Sequence, residues 1–273
     1  MSLQFIMGNS GSGKSYCLYD TVVREAIENP DKNYLVIVPE QFTMQTQKDL
    51  CLAHPKGGIM NIDVLSFGRL AYRVFEEVGQ DARVVLDDEG KNLVLRKIAG
   101  ECEKDLKVFK GNLKKQGYIS EVKSVLSEFA QYGVDFERLD DFMKEVPPES
   151  YLHYKLDDIR TIYEKFEEYL SEKYITKEEM LDVLSDAVPY SDILKGSVVA
   201  MDGFTGFTPV QNRLIGELFS VCEKVMITVT MDGRENPYVY EHPYQIFALG
   251  KQMVTSLMKI AGEKKTEIEE PIC

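Results

Sequence analysis

Two hydrophobic periods alternate along the first 80 or so residues. Apolar runs of strand length occupy 3–7 (Leu-Gln-Phe-Ile-Met), 34–38 (Tyr-Leu-Val-Ile-Val) and 62–66 (Ile-Asp-Val-Leu-Ser), as expected of strands buried in a sheet. Between them the apolar residues fall three and four apart: Leu18, Val22, Val23, Ala26 and Ile27 predict a helix over 14–28, with further helices near 42–52 and over 67–78. Strand and helix in strict alternation predict a parallel sheet with crossover helices.

From about 87 to 188 the period is helical throughout. Leu93, Val94, Leu95 and Ile98, then Val122, Val125, Leu126 and Phe129, then Ile159, Ile162, Tyr163, Phe166 and Leu170, then Met180, Leu181, Val183 and Leu184 each form an apolar stripe, and no strand is required. Pro147-Pro148 and the glycines at 111 and 117 divide the region. Strand patterns return at 198–202 (Val-Val-Ala-Met-Asp) and 225–230 (Val-Met-Ile-Thr-Val-Thr), with a helix over 209–220 between them. The fold expected is therefore α/β: a parallel-sheet domain from 1–80 and 196–240, interrupted by an all-helical insertion over 81–195. Residues 241–273 read as a helical segment carrying Ile246, Phe247, Leu249, Met253, Leu257 and Ile260. A charged tail at 263–270 follows, and the segment is expected to lead into a longer polypeptide.

Composition removes several classes of function. No apolar stretch approaches the roughly 18 residues of a membrane helix, and there is no signal-peptide pattern, so a cytoplasmic protein without a membrane partner is expected. Cys17, Cys51, Cys102, Cys222 and Cys273 are scattered without C-x-x-C spacing, and His54, His153 and His242 stand far apart, which suggests neither a disulfide framework nor a zinc site. The net charge of -13 opposes nucleic-acid binding. Its distribution moderates that, because most of the acidic excess lies between 119 and 195. A basic run at Lys104, Lys107, Lys110, Lys114 and Lys115 reads as a solvated helix face.

The chemistry is concentrated near the start. Gly8-Asn9-Ser10-Gly11-Ser12-Gly13-Lys14-Ser15 satisfies G-x-x-x-x-G-K-[ST]. In this pattern backbone N–H groups surround the phosphates of ATP, the lysine reaches the β and γ oxygens, and the Ser15 hydroxyl holds Mg²⁺. The pattern sits between a predicted strand and a predicted helix, so the phosphates meet a helix N-terminus. A hydrolytic enzyme of this kind needs a carboxylate at the end of a neighbouring strand to hold Mg²⁺ through water, and a second carboxylate to orient the attacking water. Asp202 suits the first role. Gly203 follows it, so the second group is missing at the adjacent position, and Glu40 and Asp63 read better as strand-end carboxylates. Binding without efficient turnover is the expectation, and no catalytic residue is assigned.

Three further segments carry a resemblance: Val36-Ile37-Val38-Pro39-Glu40-Gln41-Phe42, Val64-Leu65-Ser66-Phe67-Gly68-Arg69-Leu70-Ala71-Tyr72-Arg73-Val74, and Met201-Asp202-Gly203-Phe204-Thr205-Gly206-Phe207-Thr208-Pro209-Val210-Gln211. With the phosphate loop they resemble the N-terminal region of the B subunit of AddAB/RexAB-type helicase–nucleases. The resemblance implies a superfamily 1 helicase-like domain with a helical insertion, in a subunit that has kept the fold and lost much of the motor. Two features agree with that. The first strand begins at Leu3, leaving no room for the upstream glutamine motif that contacts adenine, and Gly203 replaces the glutamate of working motors.

The resemblance further implies a heterodimer with the A-type helicase–nuclease subunit, and action on double-strand DNA ends in recombinational repair. It also implies a nuclease domain with an iron–sulfur cluster, which cannot be carried onto this chain's cysteines. By the same analogy Gln41, Ser66, Phe67 and Arg69 face single-stranded DNA, although Phe67 also belongs to a helical apolar stripe with Leu70, Ala71 and Val74. The rival reading is a self-contained phosphotransferase with a helical lid. The dispersed arginines Arg83, Arg96, Arg138 and Arg160 do not supply the arginine-rich closure such an enzyme uses.

Overall fold

The structure is a computed structural model describing residues 1–79, 83–112, 115–171, 173–232 and 234–272. Lys114 of the basic run and Cys273 lie outside the described residues. In chain order the elements are β1 (Ser2–Gly8), α1 (Lys14–Glu28), β2 (Tyr34–Ile37), α2 (Thr43–Ala53), β3 (Ile62–Leu65), α3 (Phe67–Val78), β4 (Val84–Leu86) and α4 (Asp88–Cys102). There follow α5 (Gln116–Tyr132), α6 (Phe136–Glu145), α7 (Tyr151–Leu170), β5 (Tyr174–Thr176), α8 (Glu179–Ala187), β6 (Val198–Met201), α9 (Pro209–Val221), β7 (Lys224–Thr230), α10 (Ala248–Lys264) and β8 (Glu267–Ile268). The chain divides into two compact units, Met1–Gln80 with Leu181–Cys273, and Asp81–Met180.

The first unit is built on a six-stranded sheet in the order β3-β2-β6-β7-β1-β8, and every pairing among its described residues is parallel. All four residues of β2 and of β6 are buried, as a parallel sheet covered on both faces requires. One face packs Ile6, Val36, Ala200 and Met226 against Leu18, Val22, Val23 and Ala26 of α1 and Leu50 of α2. The alternate positions Phe5, Leu35, Ile37, Val199 and Ile227 are also buried. Local chemistry fixes the helix starts: Ser66 accepts from the Arg69 N–H at the head of α3, and Thr208 and Gln211 close a capping box ahead of Pro209 in α9.

The charged tail departs from expectation. Residues 267–272 run beside β1 as a sixth, edge strand, with Glu269 donating its N–H to the Leu3 carbonyl (2.9 Å), Ile272 donating to Phe5 (2.9 Å) and Met7 donating to Ile272 (2.7 Å). Backbone pairing holds it, and its two β8 side chains are exposed, so no hydrophobic period marks it in the sequence.

The second unit corrects the expectation of an all-helical insertion. Four helices, α4 to α7, dominate it, but β4 and β5 pair in parallel across Val84–Tyr174, Val85–Ile175 and Leu86–Thr176. Each strand is three residues long, too short to show a period of two. The core gathers Leu95, Ile98, Ile119, Val122, Leu126, Ile159, Ile162 and Phe166. Asp158, 1 % exposed, accepts backbone N–H groups of Lys107 (2.8 Å), Val108 (2.7 Å) and Phe109 (2.8 Å), and so ties the 104–112 connection to α7. The basic run is partly consumed in the same way: Lys107 pairs with Asp157 at 2.9 Å, and Lys115 donates to the Asn112 side chain.

A small cleft in this unit is lined by Lys91, Ser127, Glu167, Glu178 and Glu179 among apolar neighbours. Lys91, 3 % exposed, pairs with Glu178 at 2.5 Å. Burial first, and the Glu179 charge second, push the Glu167 carboxyl up to about 7. A carboxyl raised in the folded state favours folding below the unfolded value, and that advantage is lost as pH climbs through the folded one. Glu167→Gln is therefore expected to raise the urea midpoint at pH 8 and leave it little changed at pH 4; equal shifts at both would refute the assignment.

Candidate functional site

The glycine-rich stretch leaves the C-terminal end of β1 and feeds directly into α1. Ser12 donates its N–H to the Asn9 carbonyl (3.1 Å), turning the loop, and Gly13 stands at φ 93 as the residue before the helix. The loop is open to solvent from Asn9 to Gly13, as is Ser15. The Lys14 ammonium folds back onto the Asn9 carbonyl at 2.8 Å. Burial lowers the Lys14 ammonium from its ordinary value, with Asp202 opposing the shift, so this carboxylate and the loop lysine feel one another.

The donor set fits a nucleotide's phosphates. A Cβ on Gly8 would collide with the Ser12 side chain and touch Lys14 Cγ; only glycine lets the loop close this tightly over its own lysine. Unpaired N–H groups at the head of a 15-residue helix supply the complementary dipole. In this site ATP would be held by residues 8–15. Magnesium fits less well: the Ser15 hydroxyl makes no hydrogen bond among the described residues, but Asp202 is already engaged.

Asp202 follows β6, with β7 standing between β6 and β1. Its N–H extends the ladder to the Ile37 carbonyl (3.1 Å), and the side chain is 7 % exposed. Thr228 of β7 donates its hydroxyl to Oδ1 at 2.6 Å, and Tyr19 of α1 donates to Oδ2 at 2.8 Å. Tyr19 also lies 3.2 Å from the Thr46 hydroxyl of α2. Burial is the main cause pushing the Tyr19 phenol far above its ordinary value, with the Asp202 and Asp49 charges adding to it. Sequence reasoning missed Tyr19 and Thr228. The available signal was a polar hydroxyl recurring inside otherwise apolar stripes.

Gly203 has φ +79, and a Cβ there would stand 3.4 Å from Pro39 Cδ. The glutamate missing at this position is therefore excluded by the backbone as well as by the sequence, since left-handed geometry costs an ordinary residue roughly 1–2 kcal/mol.

The remaining candidates lie after β2 and β3. Ser66 donates to Glu40 Oε2, and Arg69 Nε donates to Glu40 Oε1 at 3.3 Å. Gln41 is exposed beside Glu40. Phe67 is buried and packs against Phe204 (ring centroids 5.4 Å apart) and Phe207 (6.4 Å). Arg73 pairs with Asp63 at 2.9 Å. Glu40 thus joins the loop after β2 to the head of α3, while Phe67 joins α3 to the loop after β6. The described residues hold no cluster of His, Cys, Asp and Glu able to take a metal ion. Cys17, Cys51, Cys102 and Cys222 are free, and no described helix is long and apolar enough to cross a membrane.

These features define an α/β protein with a parallel sheet and a glycine-rich loop at the strand ends, where open sheets of this kind take their ligands. The chain belongs to the AddB N-terminal family: the sequence model of the family described as "ADDB, N-terminal" matches residues 5–273. It is similar to the B subunit of the ATP-dependent helicase/deoxyribonuclease of Lachnoclostridium phytofermentans, 46% identical over 273 residues, all of this chain and 24% of that protein. The B subunits of the same name from Clostridium tetani (34% identical over 274 residues, 100% of this chain and 24% of that protein) and Alkaliphilus metalliredigens (35% over 232 residues, 85% and 20%) are also similar. The chain spans about a quarter of the length of the first two of these relatives.

Proposed function

We propose that this chain is the nucleotide-binding, helicase-like N-terminal region of the B subunit of an ATP-dependent helicase–nuclease, a motor domain that retains ATP binding and has lost efficient hydrolysis. The observation that carries the proposal is the pairing of a closed glycine-rich loop, with Gly8 under Ser12 and Lys14, with the left-handed Gly203 next to the strand-end carboxylate that faces Lys14. The loop supplies phosphate-binding groups. The position next to Asp202 supplies no carboxylate to activate water, and binding energy without a group acting on the transition state leaves the chemical step slow. Ser15 holds Mg²⁺, with Asp202 reaching it through water. The relatives' names, which carry ATP dependence, helicase and deoxyribonuclease, support placing the activity in a complex that acts on DNA ends in recombinational repair.

Single-stranded DNA is engaged, on this reading, along the strand ends after β2 and β3. Gln41 and Arg69 are the exposed contacts there. Ser66 and the buried Phe67 shape that surface by holding Glu40 and the 204–207 loop. The partner is the A-type helicase–nuclease subunit, and the setting is the cytoplasm. The nuclease and its iron–sulfur cluster belong to other parts of such a protein.

The purified chain is expected to bind MgATP and to hydrolyse it far more slowly than about one per second, the lower end of ordinary turnover, with or without single-stranded DNA. DNA-stimulated turnover of several per second would overturn the inactive-motor reading. Gly203→Glu is expected to leave hydrolysis unrestored and to cost about 1–2 kcal/mol of stability in urea. Recovery of turnover in that variant would show that the backbone does not exclude the carboxylate.

A further inference from the structure

The Asp202 carboxylate has a geometry that an ion-organising group does not need. Each oxygen accepts a hydroxyl hydrogen bond, Oδ1 from Thr228 at 2.6 Å and Oδ2 from Tyr19 at 2.8 Å. The donors come from opposite sides, one from the neighbouring strand β7 and one from the helix that the glycine-rich loop begins. A water of a hydrated magnesium ion would reach the carboxylate through the same lone pairs, also as a donor. The Tyr19 ring packs partly buried against the α1 face of the core, so its hydroxyl does not swing freely away. Its phenol stays protonated at any working pH and is a permanent donor.

Building on the nucleotide reading above, we propose that Tyr19 is a positioning residue that clamps Asp202 together with Thr228 and competes with the water shell of Mg²⁺ for that carboxylate. The nucleotide is then held by the loop's backbone and Lys14 with only weak dependence on magnesium. The same clamp couples α1 to β6: whatever moves the head of α1 on nucleotide binding also pulls on the residue before Gly203 and, through Phe204, on Phe67. The site is therefore a nucleotide sensor more than a metal-dependent engine.

Titration of the intact chain with a fluorescent ATP analogue, in Mg²⁺ and in EDTA, tests this. The wild type is expected to show affinities within about threefold of each other. In Tyr19→Phe the preference for Mg²⁺ is expected to rise by about tenfold or more, the scale of one hydrogen bond to a charged group, and Asp202→Ala added to that variant should remove it. A wild-type preference of tenfold or more that Tyr19→Phe leaves unchanged would overturn the proposal. A second readout needs no nucleotide: the urea midpoints of Tyr19→Phe, Asp202→Ala and the double variant. Non-additive shifts are expected for a clamp that exists in solution, and additive shifts would overturn it. Absence of nucleotide binding in both buffers would refute the reading of the loop as a nucleotide site, while the denaturation cycle still decides whether Tyr19 holds Asp202.

Discussion

Lys14→Ala is expected to abolish measurable nucleotide binding while leaving the fold intact. The ammonium rests on the Asn9 carbonyl at 2.8 Å, one short side-chain movement from the space a phosphate would fill, and it is the only loop residue that brings a full positive charge. Charge-assisted hydrogen bonds contribute about 1.5–3 kcal/mol each, so losing contacts to two phosphate oxygens weakens binding by roughly 100-fold or more. Little destabilisation accompanies this. Lys14 opens α1, alanine is a good helix former, and burial already lowers the lysine's tendency to hold its proton. Titration with a labelled nucleotide gives the affinity, and urea unfolding gives the stability. Binding within threefold of wild type would remove the loop as the nucleotide site.

The largest expected loss of stability lies elsewhere. Asp158→Ala strands three backbone N–H groups, those of Lys107, Val108 and Phe109, in a place where the carboxylate is 1 % exposed. Leaving buried donors unsatisfied costs about 1–3 kcal/mol each. A total of about 3–5 kcal/mol allows for water reaching Lys107. In a unit of this size that lowers the melting temperature by more than about 10 °C. Differential scanning calorimetry reads it directly, and a fall below about 3 °C would mean that the 104–112 connection is held by its apolar residues Leu106 and Phe109 and not by the carboxylate. Asp158→Asn is expected to fall between the two, since it keeps one acceptor and turns an amide donor toward the others.

The α/β unit was legible because its elements are long or fully buried. The 15 residues of α1 and the run of β7 carry their period openly, and Ser66 and Thr208 announce the helices they cap. Asp202 was legible from its place at the end of an apolar run. What escaped was made by backbone or by position. The strands β4, β5 and β8 are held by main-chain ladders too short to bias side-chain choice. Tyr19 sits on α1 where one hydroxyl in an apolar stripe looks incidental, and only the approach of β6 and α2 makes it the partner of Asp202 and Thr46. Phe67 had two readings in sequence, and its contacts with Phe204 and Phe207 depend on the loop after β6, far downstream in the chain. Glycine at 203 read as a missing glutamate; that it also fixes a left-handed turn against Pro39 is information carried by φ, which composition does not encode.

The edge strand at 267–272 has a consequence for how the chain comes to hold its loop. β1 is synthesised first, yet both of its neighbours, β7 and β8, lie more than 200 residues downstream. Closing contacts over such separations is slow, because the entropy of the intervening chain is lost before the ladder repays it. The strand that presents residues 8–15 therefore stays unpaired while most of the polypeptide is made, and the glycine-rich loop acquires its shape among the last parts of the fold.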